Sequence, residues 1–106
     1  MRFLDVCRNP AARSPSNNPV PYLLIVQGDY VEIRASKLVV PLRREAHAPP
    51  LIRDIMPVVN VLGEAFVVMT PEMAAVSVSH IGPVVSSLNH DYFAIRRAID
   101  VLTGDF

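Results

Sequence analysis

The organisation of the chain is clearest in residues 67–82, which read Val67-Val68-Met69-Thr70-Pro71-Glu72-Met73-Ala74-Ala75-Val76-Ser77-Val78-Ser79-His80-Ile81-Gly82. Apolar and small polar residues alternate around the Thr70-Pro71 pair. Alternation with a period of two is typical of a strand with one buried face, and proline favours a turn. The stretch therefore predicts a strand, a turn and a second strand arranged as a hairpin. It contains no paired carboxylates, no Cys/His cluster and no glycine-rich loop.

Similar runs on both sides of this stretch predict a mainly β protein. Apolar residues bounded by turn residues predict strands at residues 2–7, 22–27, 30–33, 37–42, 58–62, 65–69 and 76–78. Gly28-Asp29 and Gly63-Glu64 are expected to form tight hairpin turns. Residues 8–19 hold three prolines and three asparagines, and they predict a loop.

The last segment has the periodicity of a helix. Tyr92, Ile95, Ile99 and Leu102 follow the spacing i, i+3, i+7 and i+10, which places them on one helix face. Asn89 is expected to cap the helix at its N-terminus, and Gly104 lies where a helix would end. The predicted fold is thus an antiparallel sheet curled into a small barrel, with the C-terminal helix covering one face.

Bulk properties narrow the class of protein. The 106 residues predict one domain, 1–106, and the formal net charge is zero. A zero net charge removes the usual argument for nonspecific binding to nucleic acid or membranes. There is neither an apolar run near the roughly 20 residues of a membrane span nor an apolar signal-peptide core. The single cysteine, Cys7, cannot form an internal disulfide and is expected to be a buried residue, so a cytoplasmic location is predicted.

Candidate chemical groups are dispersed along the chain. His47, His80 and His90 lack the spacing of metal ligands, and the acidic residues form no pair suited to acid–base chemistry. We therefore expect neither a metal nor a cofactor to be held by these groups. The basic residues Arg34, Lys37, Arg43 and Arg44 are expected to form a solvated face rather than an RNA site.

The chain resembles the CcdB toxins, the gyrase poisons of bacterial toxin–antitoxin modules, over nearly its whole length. The matching residues are Phe3, Arg8-Asn9-Pro10, Pro21-Tyr22-Leu23-Leu24, Val26-Gln27 with Asp29, Val39-Val40-Pro41-Leu42, Pro57-Val58-Val59, Met69-Thr70 with Met73-Ala74, Val76, Val78, Ile81-Gly82 and Ala98-Ile99. Each piece is short, and their order and spacing together carry the resemblance.

The resemblance implies an SH3-like barrel with a C-terminal α-helix, in a homodimer without catalytic activity. It implies binding to the A subunit of DNA gyrase, trapping of the gyrase–DNA cleavage complex, and neutralisation by a CcdA-like antitoxin. Contact with DNA would occur only indirectly, through the antitoxin complex, and no membrane is involved. The positions that correspond to the family's gyrase contacts are Tyr30, Val31, Asp100, Thr103, Gly104, Asp105 and Phe106.

The end of the chain departs from the family pattern. The best-studied toxins end in Phe-Trp-Gly-Ile, whereas this chain ends in Thr103-Gly104-Asp105-Phe106 and contains no tryptophan. Two alternatives to a gyrase poison follow. The chain could bind antitoxin and co-repress its operon with lost or altered poisoning, or it could be an RNA-cleaving toxin of the related MazF and Kid type. The second would need a base, an acid and an arginine converging in one groove.

Overall fold

The computed structural model describes residues 1–12, 18–31 and 34–104. In these ranges antiparallel strands form one sheet that is followed by a helix. The elements are β1 (Asp5–Arg8), β2 (Tyr22–Ile25), β3 (Ser36–Arg44), β4 (Val58–Val61), β5 (Glu64–Val68), β6 (Ala74–Ser77), β7 (Val84–Ser87) and α1 (Tyr92–Thr103). The predicted mainly β fold with a C-terminal helix is confirmed.

The long strand β3 organises the sheet. One of its edges pairs with β2, and the other pairs with β5 near Leu42 and with β6 near Val39. β5 and β6 therefore lie end to end along β3, and the 3₁₀ turn Thr70–Glu72 carries the chain from one to the other. The predicted strand, turn and strand are present. Their arrangement as a hairpin is wrong, because the strands pair with β3 and not with each other in the described residues.

The sheet is a curled half-barrel with the strand order β4-β5-β3-β2-β1-β7. Its concave side holds the main core, in which Phe66 and Leu24 are fully or almost fully buried. Helix α1 covers this core with Ile95 and Ala98, which are also buried. A fully buried Leu, Ile or Phe side chain contributes about 1.5–3 kcal/mol, so this face of α1 fixes the helix on the sheet.

Two predicted hairpin turns differ from the structure. β2 pairs directly with β3, so Gly28-Asp29 does not form a tight hairpin and Tyr30 and Val31 are not in a strand. The rest of that predicted strand, residues 32–33, lies outside the described residues. The second turn falls one residue earlier than predicted, at Leu62-Gly63, where both residues have positive φ (51° and 85°). That geometry suits the right-handed twist of the flanking strands β4 and β5.

The N-terminal strand begins later than the sequence predicts because a turn precedes it. The Asp5 amide donates to the Arg2 carbonyl at 3.0 Å, which closes a turn over Phe3 and Leu4. Leu4 has a φ of 69° and a fully buried side chain. Positive φ is costly for a residue with a Cβ, so burial in the core holds Leu4 in this conformation.

The region before the helix also corrects two predictions. Strand β7 was not predicted; it forms by pairing with β1, with Ser87 opposite Asp5. Asn89 does not cap α1. It begins a 3₁₀ turn, Asn89–Asp91, after which the α-helix starts at Tyr92. Within the described ranges, no helix has the length and apolar character that crossing a membrane requires.

Candidate functional site

The predicted target contacts that the structure describes lie on two surface segments. Tyr30 and Val31 lie in the loop after β2, and Asp100, Thr103 and Gly104 lie at the C-terminal end of α1. Asp105 and Phe106 lie outside the described residues. The two segments belong to different parts of the fold, so what matters is whether other side chains connect them.

The loop presents an aromatic ring to solvent. The Val31 amide donates to the Gly28 carbonyl at 3.1 Å, and this turn projects Tyr30 outward with 99% of its surface exposed. Val31 is exposed as well. An exposed tyrosine beside an exposed valine suits recognition of another protein, because aromatic residues contribute strongly to interface energy.

The helix presents a polar stripe. Arg96, Asp100 and Thr103 follow the spacing i, i+4 and i+7 and so share one face of α1. Arg96 Nε lies 3.5 Å from Asp100 Oδ1, and Thr103 Oγ1 donates to the Ile99 carbonyl at 2.8 Å. Gly104 ends the helix in the left-handed conformation, with φ of 85°. Glycine adopts this conformation without steric cost, which explains why the helix ends there.

A cavity joins the loop to the helix. It has a volume of about 220 Å³ and is lined by Phe3, Gly28, Asp29, Tyr30, Tyr92 and Arg96. Arg96 thus lines the same cavity as Tyr30 and also pairs with Asp100. The structure therefore brings Tyr30 and Asp100 onto one continuous surface through Arg96. Thr103 lies about 10 Å from Arg96 along the helix axis, at 1.5 Å per residue.

A second cavity extends this surface toward the N-terminal turn. Its volume is about 310 Å³, and it is lined by Arg2, Phe3, Asp5, Asn89, Asp29 and Tyr92. The Phe3 amide donates to Asp29 Oδ1 at 2.7 Å, and the Arg2 amide donates to Asp5 Oδ2 at 2.7 Å. Asp29, expected to be a simple turn residue, therefore fixes the N-terminal turn against the loop that carries Tyr30.

Of the residues that line the two cavities, the sequence assigned only Tyr30 to the site; those it missed include Arg2, Phe3, Tyr92 and Arg96. Arg96 could have been found, since it stands four residues before Asp100 and opposite charges at that spacing pair on a helix. Arg2 and Phe3 gave no such signal. Their position depends on pairing between distant parts of the chain.

The histidines and the cysteine lie in contrasting environments. His47, His80 and His90 are exposed, and no group of three potential metal ligands occurs in the described part of the chain. Cys7 is fully buried, as predicted. Its burial, followed by the nearby Asp5 charge, raises the pKa of the thiol and keeps it protonated and unreactive. The surface described above consists of aromatic rings, ion pairs and the end of a helix.

The predicted basic face is engaged with neighbouring groups at two of its residues. Arg43 Nε donates to the His47 carbonyl at 2.9 Å. The Arg44 guanidinium pairs with Glu64 and lies over the Phe66 ring, 5.6 Å from the centroid. These contacts use the two arginines within the fold rather than presenting them to RNA.

A comparison with known families gives one match over most of the chain. The family model described as "CcdB protein" matches residues 4–104. The matched range begins at Leu4 in the N-terminal turn and ends at Gly104, the residue that terminates α1. It therefore includes the whole sheet and the helix.

Proposed function

Because the chain belongs to the CcdB family, with a match over residues 4–104, we propose that it is a toxin that binds the A subunit of DNA gyrase and traps the cleaved gyrase–DNA complex. Family membership points to the toxin of a toxin–antitoxin module. The finer assignment to gyrase depends on the exposed surface that Tyr30, Arg96 and Asp100 form together.

The observation that supports the proposal best is the asymmetry of α1. Ile95 and Ala98 are buried against the sheet, whereas Thr103 and Gly104 at the end of the helix are exposed. An end that contributes little to the core is available to a partner. The polar stripe leads from that end to Tyr30, so one partner can contact both segments.

The proposal includes partners and mechanism. A homodimer would present two helix ends, and a CcdA-like antitoxin would neutralise the toxin and link it to operator DNA. The action requires no catalysis, because the toxin holds an existing enzyme–DNA intermediate. In the part of the chain that the structure describes, no cluster of metal-ligating side chains suggests hydrolytic chemistry instead.

The deciding experiment compares the full chain with a variant lacking residues 104–106. Both are expressed in a gyrase-proficient bacterial host, and cleaved DNA is measured with purified gyrase. We expect the full chain to stop growth and accumulate linear DNA, the truncated chain to do neither, and co-expression of a cognate CcdA-like antitoxin to restore growth. Equal thermal unfolding of both chains is the control. Normal growth with abundant, folded full-length chain would contradict the proposal.

The departure at the C-terminus favours a second candidate. The residues Thr103-Gly104-Asp105-Phe106 lack the tryptophan of the well-studied toxins, and Asp105 adds a charge whose burial would be costly unless paired. The chain would then bind antitoxin and co-repress its operon with little or no gyrase poisoning. Nanomolar antitoxin binding without linear DNA in the gyrase assay would select this function.

A further inference from the structure

The two cavities form one groove, because Phe3, Asp29 and Tyr92 line both of them. We call this surface the ring groove; it is formed by Arg2, Phe3, Asp29, Tyr30, Tyr92 and Arg96. Its two parts, about 220 and 310 Å³, are at or below the low end of the roughly 300–1,000 Å³ of drug-sized sites. Each part is therefore suited to a single side chain rather than to a cofactor.

Aromatic rings dominate the groove. Phe3 and Tyr92 meet edge to face, with their centroids 5.9 Å apart and an interplanar angle of 74°. Tyr92 is 41% exposed, and Tyr30 is exposed almost completely. Phe93, 85% exposed, continues the edge-to-face contacts beyond Tyr92 at 5.3 Å. Exposed rings gathered in one place are typical of a protein-binding surface.

The charges of the groove are already matched within the chain. Asp29 accepts the Phe3 amide with one oxygen and lies 3.7 Å from Arg2 with the other. Arg96 pairs with Asp100. A charged partner would have to compete with one of these pairs, whereas an uncharged ring leaves them intact. The planar guanidinium of Arg96 could also stack on such a ring.

The Phe3 side of the groove is held in shape before any partner binds. Leu4, buried and at positive φ, closes the turn that places Phe3. The Leu4 amide donates to the Ile25 carbonyl at 2.7 Å and its carbonyl accepts the Leu88 amide at 2.9 Å, so the turn is fixed between β2 and the start of the helical region. A preformed site loses little conformational freedom on binding.

We infer that the ring groove docks a protein segment through one uncharged aromatic side chain. The partner's ring would lie among Phe3, Tyr30 and Tyr92, in the edge-to-face geometry that aromatic groups prefer. This inference deepens the proposed function and rests on it, since Tyr30 belongs to both surfaces.

The test uses blocked peptides as probes. Acetyl-Gly-Trp-Gly-amide, and the same peptide with Glu or Lys in place of Trp, are titrated into the ¹⁵N-labelled full chain. We expect saturable amide shifts at Asp29, Tyr30 and Arg96 with the Trp peptide and none with the two charged peptides. Shifts of equal size with a charged peptide, or no saturable shift with the Trp peptide, would overturn the inference.

Two substitutions localise the binding. Tyr30→Ala removes an almost fully exposed ring. We expect it to lower the affinity for the Trp peptide about fivefold, which lies within the roughly 0.5–1.5 kcal/mol that an aromatic pair contributes. Leu62→Ala, an exposed residue in the β4–β5 turn, is the matched control and should leave affinity unchanged. An unchanged affinity in Tyr30→Ala, with folding verified by circular dichroism, would also overturn it. Because these assays contain no gyrase, their failure is distinguishable from a failure of gyrase trapping.

Discussion

The backbone of Arg8 lies directly against Gly82. The Gly82 amide donates to the Arg8 carbonyl at 2.9 Å, and a Cβ built on Gly82 would lie 2.8 Å from that oxygen and 2.9 Å from the Arg8 Cβ. The contact joins the end of β1 to the segment that leads into β7. This close contact explains why the stretch of residues 67–82 ends in a glycine, since a side chain at this position would collide with Arg8.

Replacing Gly82 with alanine should therefore destabilise the protein. The new methyl group meets backbone atoms that cannot rotate away, and we expect a loss of about 1–3 kcal/mol, as for an overpacked core. In urea unfolding this loss of stability appears as a lower midpoint, while the dependence of the unfolding free energy on urea concentration is unchanged. Gly28→Ala is the matched control, because nothing lies within 4 Å of its Cβ position. Equal midpoints for the two variants would contradict the close contact.

The glycine and alanine variants at Leu4 should show an unusual order of stability. Truncation to alanine removes a buried side chain, which costs about 2–5 kcal/mol, and leaves the strained φ of 69° in place. Glycine removes the same packing but relieves roughly 1 kcal/mol or more of strain. We thus expect Leu4→Gly to unfold no more easily than Leu4→Ala. At Leu88, also fully buried but with φ of −112°, the glycine variant should be the less stable of the two. The same order at both positions would argue against strain at Leu4.

Arg44 should matter more to stability than an exposed arginine. Its side chain is 14% exposed, its Nε donates to the Asn18 carbonyl at 2.9 Å, and it covers Phe66. We expect Arg44→Ala to cost about 1–3 kcal/mol, the range for buried groups left without a partner. Arg2→Ala, at an arginine that is 81% exposed, should change stability by less than about 1 kcal/mol. Chemical denaturation of both variants checks the difference, and similar losses would refute it.

The parts of the fold that the sequence predicts are those with local signals. The strands on both sides of Thr70-Pro71 and the helix face with Ile95 carry periodicity, which neighbours in sequence are sufficient to show. Strand β7 was missed because its four residues form a strand by pairing with β1, some 80 positions away. The turn at Leu62-Gly63 was displaced because leucine rarely has a positive φ; there the Asn60 side chain accepts the Gly63 amide at 3.0 Å.

The candidate site was predictable only in part, and for a related reason. Tyr30 and Asp100 came from the family resemblance, not from any pattern of their own. Phe3 and Tyr92 lie beside Tyr30 because the N-terminal turn, the loop and the helix converge in space. No spacing along the chain encodes that convergence, so a sequence identifies the scaffold more easily than the surface that acts.

Cys7 should make stability decline at alkaline pH. Burial and the Asp5 charge raise its pKa in the folded state, so folding favours the protonated thiol. As the pH rises above about 8.5, the unfolded chain releases this proton first, and folding stability falls until the folded thiol also ionises. The Cys7→Ala variant has no thiol, so its stability lacks this contribution to the pH dependence. We expect the stability difference between wild type and Cys7→Ala to shrink between pH 7 and 10 in urea unfolding. A difference that is constant with pH would show that the thiol is not perturbed.

Asp100 offers the sharpest test of the helix surface in the proposed function. Asp100→Arg places a third positive charge beside Arg96 and Arg97 on the face that leads to the tail. The substitution removes the carboxylate and any contact it makes with the partner, and the arginine in its place repels a basic partner surface. We therefore expect gyrase trapping to fall at least about tenfold, or 1.4 kcal/mol.

The matched control places the same side chain elsewhere on the helix. Ala94 is exposed and, six residues away at 100° per residue, lies about a third of the circumference from Asp100. Ala94→Arg should keep full trapping, and both variants should unfold within about 0.5 kcal/mol of wild type, since exposed helix pairs contribute little. Linear DNA produced by purified gyrase measures trapping. If Asp100→Arg traps as well as Ala94→Arg does, the polar stripe is not part of the gyrase-binding surface, and only the helix end and the loop remain as its components.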